Sequence, residues 1–548
     1  MNKSLYFLFI CVILWCVVDL FQAGFTELDP DEAYYWLYSR QLDWGYYDHP
    51  PMVALMIAAG YTFFESELGV RLVTVLMHAG TIFLLWLLVG RPEKRADIGL
   101  LLLILAAMPM FQIYGFITTP DPPLLFFTAL FFYAYKQFLE KNSWLTTFTL
   151  GIVMVLMLYS KYHGVLIILS TLASNLKLLR NPKFYIASIF GASLFIPHLL
   201  WQWNNEFPSL QYHLVGRNSP YQLKHTLNYI VNQIINFGPF LFPFWALALW
   251  KSQANDLLTK AYKYCIWGIM GFFLIATLKG HAEPQWTLVL LIPISVLLYQ
   301  YVVDKEKLRK WVWRLSIIAV VLMMVARSLL IFDFGKRIMK EFHKTDWVYA
   351  LQEDLGDHKV AFVNHYRNPS VYSFYAQDYS PGLNDPIAYR TNQFDIWQDE
   401  ANLHLQKAAL VGLHDWILCR DCRFFNQAGK KAMILEVDSM QVAQKLKIKP
   451  LSFDGKNIKV AIENPYPHSI DLNASYWPVQ PILFIPRQEE HLEVAARWKE
   501  NAVLEAKSSS EVVIEVIGDL PEQSFDYMMM LEHGGVLHTL NSGVNHKK

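Results

Sequence analysis

The sequence predicts a polytopic α-helical membrane protein of about eleven spans, followed by an extracytoplasmic soluble region that is α/β first and β-rich after. Three observations predict this. The chain of 548 residues is 54% hydrophobic and 17% charged, which is high for a soluble protein and modest for a membrane bundle alone. Apolar runs of membrane length recur as far as Phe332 and then stop. The connectors between them are sorted: alternate ones are basic and otherwise bland, and the others hold carboxylates, histidines and aromatics.

A crossing helix needs roughly 20 mostly apolar residues. Leu5–Phe21 is the first; only Lys3 flanks it and no clear small-x-small cleavage site follows, so it reads as an uncleaved span. The others are Val70–Val89, Ile98–Phe116, Pro122–Phe138, Trp144–Tyr159, Tyr162–Leu178, Phe184–Trp201, Leu227–Trp250, Tyr262–Leu278, Trp286–Val302 and Trp311–Phe332. Met52–Phe64 is too short to cross and is expected to tilt or lie in the interface. Lys and Arg in short connectors set orientation. Arg91, Lys94 and Arg95, then Lys136 and Lys141, then Lys177, Arg180 and Lys183, then Lys251, Lys260 and Lys263, then Lys305, Lys307, Arg309 and Lys310 define the cytoplasmic set. Glu27–Pro51, Thr118–Pro122, Ser160–His163, Trp201–His225 and Lys279–Trp286 define the outer set. An odd number of spans puts the tail outside as well.

In the tail, residues 333–430 are expected to be α/β and 431–548 β-rich, with Lys359–Val363, Ala408–Leu413 and Trp416–Cys419 as strands and Pro369–Tyr375 as a helix. Alternation in Met433–Val437, Ile458–Ile462 and Val512–Val516 marks the second half. Cys419 and Cys422 form a CxxC, two ligands where a structural zinc wants four, so a local disulfide or two thiols is the plainer reading. Cys11, Cys16 and Cys265 lie in apolar runs as small buried hydrophobes. Zero net charge gives no footprint for nucleic acid, and no Walker, HExxH or GxSxG motif is present.

The chemistry concentrates in Glu27–Pro51. Asp29-Pro30-Asp31-Glu32 is a helix start, with Asp29 as N-cap, Pro30 at the first position and Glu32 closing a capping box. Stability accounts for Asp29 and Glu32, and less well for Asp31. Asp121, among prolines at a span mouth, is either a helix cap or a costly acid with a task. Lys161 is an anion contact or a snorkelling side chain. His49, His163 and Arg217 are each ordinary taken singly; Lys279, His281 and Glu283 fall within five residues. Asp, Glu and His are available for a divalent ion, but no spacing specifies one.

Taken as a set, Asp31-Glu32-x-x-Tyr35, Tyr46–Pro51 (YYDHPP), Thr118–Leu124 (TTPDPPL), Ser160–Gly164 (SKYHG) and the late connector with His281, Glu283, Pro284 and Trp286 resemble the GT-C membrane glycosyltransferases. Nearest is the bacterial family 39/83 group of protein O-mannosyltransferase-like and lipid A aminoarabinose transferases. The resemblance covers roughly Leu5 to Phe332. It implies a GT-C-like bundle over residues 1–332 with a catalytic first outer loop, 22–69, in a bacterial inner membrane, with the tail periplasmic. It implies transfer with inversion from a polyprenyl (undecaprenyl) phosphate sugar donor to a hydroxyl or phosphate of a lipid, glycan or protein acceptor. Asp31 would be the catalytic carboxylate with Glu32 beside it. Lys161, His49 and Arg217 would face the donor phosphate. Asp48, Asp121, Tyr35, Tyr162, His163, Lys279, His281, Glu283 and Trp286 would shape the site or meet the acceptor. No cofactor is implied beyond a divalent metal ion, for which Asp31 and Asp121 are the candidate ligands. Lipid A-type relatives carry lysine near the position of His49. The rival readings are a transporter, which would bury charge mid-span where this chain gathers it at span mouths, and an oligosaccharide ligase.

Overall fold

The computed structural model describes residues 3–547 apart from 213–219, 333–344, 386–388, 413–420, 487–490 and 523. Arg217 and Cys419 therefore lie outside the described residues. The chain forms two compact units, Met1–Lys344 and Thr345–Lys548.

The first unit is helical: α1 Lys3–Phe25, α2 Pro30–Arg40, α3 Met52–Tyr61, α4 Glu67–Leu88, α5 Arg95–Ala106, α6 Pro109–Ile113, α7 Asp121–Lys141, α8 Trp144–Ser160, α9 Gly164–Ser174, α10 Pro182–Leu194, α11 Ile196–Asn204, α12 Pro208–Gln211, α13 Leu223–Asn236, α14 Phe242–Lys251, α15 Leu257–Ala276, α16 Leu291–Val302 and α17 Glu306–Ile331. Every expected span is helical, but several are broken. Proline does most of this, since it lacks the amide and clashes with the preceding turn: Pro109 starts α6, and Pro197 follows the break at which α10 and α11 bend by 42°. Gly238 and Pro239 separate α13 from α14. By length and composition α1, α4, Pro284–Val302 and α17 are each able to cross a membrane, and the bent α10–α11 pair makes a fifth. The eleven expected runs are thus present as helix, with fewer of them as single membrane-length rods.

Burial orders the bundle. The span Pro284–Val302 has 78% of its apolar window buried, against 11% for α1 and 17% for α17. α1 instead turns Ile13, Leu14 and Val17 outward, as suits a lipid-facing helix. α8 and α10 meet at small residues: a Cβ at Gly151 would stand 2.5 Å from the Ala187 carbonyl oxygen. At the basic end, Arg309 pairs with Asp97 at 2.7 Å and Lys183 donates to the Asn142 carbonyl. Connectors that charge had assigned to one side are thus neighbours in space.

The second unit carries two sheets: β1 Lys359–Val363, β2 Gly382–Leu383, β3 Gln406–Gly412, β4 Arg423–Gln427 and β5 Lys430–Met440 in the first, with α18 Asp346–Leu355 and α19 Arg367–Ala376. Its order is β2-β1-β3-β5-β4; β1 runs parallel to β2 and β3, and β5 is antiparallel to its neighbours. The larger sheet contains β6 Lys447–Phe453 and β7 Asn457–Glu463, followed after β8 Ile470–Asp471 by β9 Val479–Ile485 and β10 Leu492–Trp498, then after β11 Val503–Leu504 by β12 Ser509–Val516, β13 Phe525–His533 and β14 Leu537–Leu540. Its ladders are antiparallel. The expected division at 430 is corrected: Met433–Val437 belongs to β5, and the sheets change between Met440 and Lys447. Alternating burial looks alike in either sheet, so periodicity could not assign the strand. Cys422 is disulfide-bonded, whereas Cys11, Cys16 and Cys265 are free.

His538 gives this unit a pH signature. Hydrogen bonds to Asp385 and Glu532 push its pKa up to about 10, above the ordinary 6.5. A raised folded-state pKa means its stabilisation is complete below about pH 6.5 and is lost as pH rises through about 10. Buried His533 acts oppositely, its pKa lowered to about 3 by burial, so its contribution is lost as pH falls from about 6.5 toward 3. His538→Asn is expected to lower the tail's resistance to denaturant at about pH 6 far more than at about pH 10. Unfolding followed by tail circular dichroism at the two pH values checks this.

Candidate active site at the acidic end of the bundle

The first connector is set by α2. The Asp29 side chain accepts from the Asp31 backbone N–H at 2.9 Å, and Glu32 Oε2 accepts from the Asp29 N–H at 3.0 Å, closing the capping box. Glu32 does much more. Arg71, from the first turns of α4, donates from Nε to Oε1 at 2.8 Å and from Nη2 to Oε2 at 2.5 Å. The Thr118 N–H reaches Oε1 at 2.7 Å. Arg71 also donates to the carbonyls of Ala23, Thr26 and Glu27. With Glu32 wholly buried and Arg71 1% exposed, this carboxylate is a fastening point that has no open side for a reacting group. Glu32, expected to stand beside Asp31 in the chemistry, has both oxygens engaged by Arg71, the Thr118 amide and the Asp29 amide. Arg71 was missed by sequence reasoning because it reads as one residue of an apolar run; its signal was a lone guanidinium at a span mouth.

The other connectors close around this one. Lys161 Nζ donates to Asp121 Oδ1 at 2.8 Å and Oδ2 at 2.9 Å, with both residues buried. Lys161 is the extended residue ending α8, and Asp121 opens α7. The Tyr162 hydroxyl lies 3.0 Å from His198 Nε2 and donates to Ser209 Oγ at 3.0 Å. Ser209 Oγ in turn donates to the carbonyls of Tyr46 and Tyr47. Trp201 Nε1 donates to Asp43 at 2.7 Å. Gly45 is needed there, since a Cβ would fall 2.5 Å from the Trp201 ring. The His163 ring sits 5.7 Å from that of Trp286. Tyr114, in the connector before α7, lies within electrostatic range of Asp29, Asp31, Asp121 and Glu283 together. All five outer connectors are therefore linked at one end of the bundle.

Within this end, Asp31 is half-buried in the first turn of α2. Asp48 is buried and accepts from the Tyr34 and Tyr38 hydroxyls at 3.2 and 3.4 Å. Tyr35 packs against Tyr38 and, ring to ring at 5.7 Å, against His49. Burial, then Tyr34 and Asp48, pushes the Tyr38 phenol well above its ordinary value, and burial raises Tyr46 too, so these phenols hold their protons and act as hydrogen-bond partners. His281 pairs loosely with Glu283 at 3.7 Å on the exposed rim, and Lys279 is exposed beside them.

The donor set does not build a metal site. Both oxygens of Asp121 already face the Lys161 ammonium. Among the described residues no group of three or more His, Cys, Asp or Glu side chains is arranged to hold a metal ion.

Residues 48–201 match the family model of dolichyl-phosphate-mannose-protein mannosyltransferases. Two crystal structures of ArnT from Cupriavidus metallidurans superpose on the chain, the apo state with a TM-score of 0.57 and the undecaprenyl phosphate-bound state with 0.56; each covers 78% of this chain and 97% of that one at 15% identity. This chain has the GT-C fold. The GT-C bundle is what the sequence resemblance implied, and a β-rich tail is what the alternation after Phe332 predicted. The lipid A galacturonosyltransferase RgtD of Rhizobium johnstonii is 26% identical over 288 residues, 49% of this chain. The chain spans 58% of the length of that curated relative.

Proposed function

We propose that this chain is an integral-membrane glycosyltransferase that moves a sugar from a polyprenyl phosphate carrier to a hydroxyl or phosphate acceptor at the outer face of a bacterial inner membrane. The observation that carries the reading is the buried Lys161 ammonium on Asp121, at the end of the bundle where the connector bearing Asp31 is joined through Glu32 to the one bearing Asp121. The carrier class agrees with the undecaprenyl phosphate bound in one ArnT structure, and a lipid A-type acceptor with the named activity of RgtD. The disulfide at Cys422 agrees with a tail in an oxidising compartment, here the periplasm. The tail's task in this reading is to position the acceptor.

In the proposed reaction, Asp31 takes the proton of the acceptor hydroxyl as its oxygen attacks the anomeric carbon. The bond from that carbon to the phosphate oxygen breaks on the opposite face, so configuration inverts. The polyprenyl phosphate leaves as a monoester with one more negative charge. That charge needs stabilising more than it needs a proton, and a fixed ammonium in a poorly hydrated cleft supplies it. An ammonium has three N–H donors; two directions from Lys161 go to Asp121, and the third would meet the phosphate. His49 and Arg217 are assigned to the same phosphate. Asp48, Tyr35, Tyr162, His163, Lys279, His281 and Trp286 shape the acceptor side.

Purified protein in nanodiscs should consume a polyprenyl-phosphate sugar and label an envelope lipid acceptor. A protein that binds the donor and never turns it over would defeat the proposal. Lys161→Met should cost about 3–5 kcal/mol of stability by leaving Asp121 buried and unpaired. The double variant Asp121→Asn/Lys161→Met should regain most of that stability and stay about 100-fold slow. Thermal unfolding and turnover, measured on both, separate the two effects; a fast double variant would remove Lys161 from the phosphate.

A further inference from the structure

The bundle buries a polar cluster that the proposed chemistry does not use. Asp19 of α1 is 1% exposed and lies about 9 Å below that helix's outer end, from a rise of about 1.5 Å per residue. Its Oδ1 accepts from Arg327 Nη2 of α17 at 2.8 Å, and its Oδ2 lies 2.9 Å from His78 Nδ1 of α4. Arg327 also donates from Nη1 to Gln112 of α6 at 2.9 Å and from Nε to Gln22 of α1 at 3.2 Å. Its guanidinium lies over the Phe116 ring, 4.9 Å from the centroid.

Burying such a pair is no route to stability. Removing two charges from water costs several kcal/mol each in order of magnitude, and an apolar replacement of equal volume is commonly as stable or more so. A transport path would need its carboxylate open to water, whereas Asp19 is enclosed and both of its oxygens are engaged. What the cluster supplies is direction, because a planar guanidinium holds several partners in one fixed geometry.

The direction leads to the candidate active site. Gln22 Nε2 donates to Thr26 Oγ1 at 2.6 Å. Arg71 holds the Thr26 carbonyl at 2.7 Å and grips Glu32. Glu32 fixes the Thr118 amide and the start of α2. We propose that Asp19, Arg327, Gln22 and Gln112 are positioning residues: through Thr26, Arg71 and Glu32 they set the placement of the first turn of α2, and so of Asp31, relative to α7. His78 and Arg327 hold Asp19 from two helices, and the chain of contacts joins α1, α4, α6 and α17 to a connector that none of them contains. The consequence for catalysis rests on the reading of Asp31 as base; the mechanical link does not.

The test uses the full chain in nanodiscs and two readouts. Arg327→Lys keeps the charge opposite Asp19 and loses the fork, and Gln22→Met removes the link without removing a charge. Both should speed amide hydrogen exchange across 26–33 relative to wild type. Both should lower kcat, by up to about 100-fold for misplacement of about 1 Å, with the KM for the polyprenyl-phosphate sugar within about twofold of wild type, the pattern of an interaction acting on the transition state. Unchanged exchange over 26–33 in folded Gln22→Met protein overturns the mechanical link. A raised KM at unchanged kcat overturns the positioning role. Should Asp31→Asn prove active, the reading of Asp31 fails while the exchange measurement still decides the link. Where Arg327→Lys does not fold, Gln22→Met alone decides it.

Discussion

Asp31→Asn is expected to leave the bundle folded and to lower kcat for sugar transfer by about 10²- to 10⁴-fold, the range over which a positioned base contributes. The substitution is nearly isosteric. It keeps the backbone N–H that donates to the Asp29 side chain, so the capping box stays closed. The neighbouring Glu32 keeps its grip on Arg71. What disappears is the capacity to accept a proton from the acceptor hydroxyl. Donor affinity should stay near wild type, because the donor phosphate is assigned to Lys161, His49 and Arg217. Turnover of purified variant, beside its thermal unfolding curve, checks the prediction. Wild-type turnover in folded Asp31→Asn protein would take the base away from this position and leave the mechanism without one.

Arg71→Met is expected to destabilise the bundle by about 3–5 kcal/mol, because it strands a wholly buried carboxylate. Arg71→Lys should rescue only part of the loss. A lysine supplies one point charge where the guanidinium serves Glu32 through Nε and Nη2 and the carbonyls of Ala23, Thr26 and Glu27 besides. Replacing both partners, Arg71→Met with Glu32→Met, removes the stranded charge and should restore much of the stability. It should not restore transfer, because the Thr118 amide and the start of α2 then lose their common anchor. Thermal midpoints and turnover of the three variants test this together. A double variant with wild-type turnover would reduce the Glu32 anchor to a stabilising contact.

Much of this site was legible before any coordinates. The Asp29-Pro30-Asp31-Glu32 start of α2 follows from local chemistry, since a cap and its box involve residues three apart. Asp121 and Lys161 each stood out singly as charges at span mouths. Their pairing did not, because forty residues separate them and no periodicity records a contact of that kind. Arg71 and Arg327 were hidden for the same reason. Each is one cation in an apolar run, and its meaning depends on partners from other helices, 39 residues away for Glu32 and 308 for Asp19. In the tail, alternating burial identified β7 and β12 as strands but could not say that β5 joins the first sheet.

From sequence alone came the alternation of apolar runs with connectors of opposite character, and with it which loops share an end of the bundle. That is determined locally, because the cost of placing charge in hydrocarbon acts on each segment by itself. Only the tertiary structure decided that Glu32 is a fastening point, that Lys161 pairs with Asp121, and that a buried guanidinium on α17 is held by Asp19 and Gln22 of α1. Those outcomes depend on which distant polar group satisfies which other one inside a low-dielectric interior, and hydrogen-bond partners there are chosen by the packing of helices, not by neighbours in the chain.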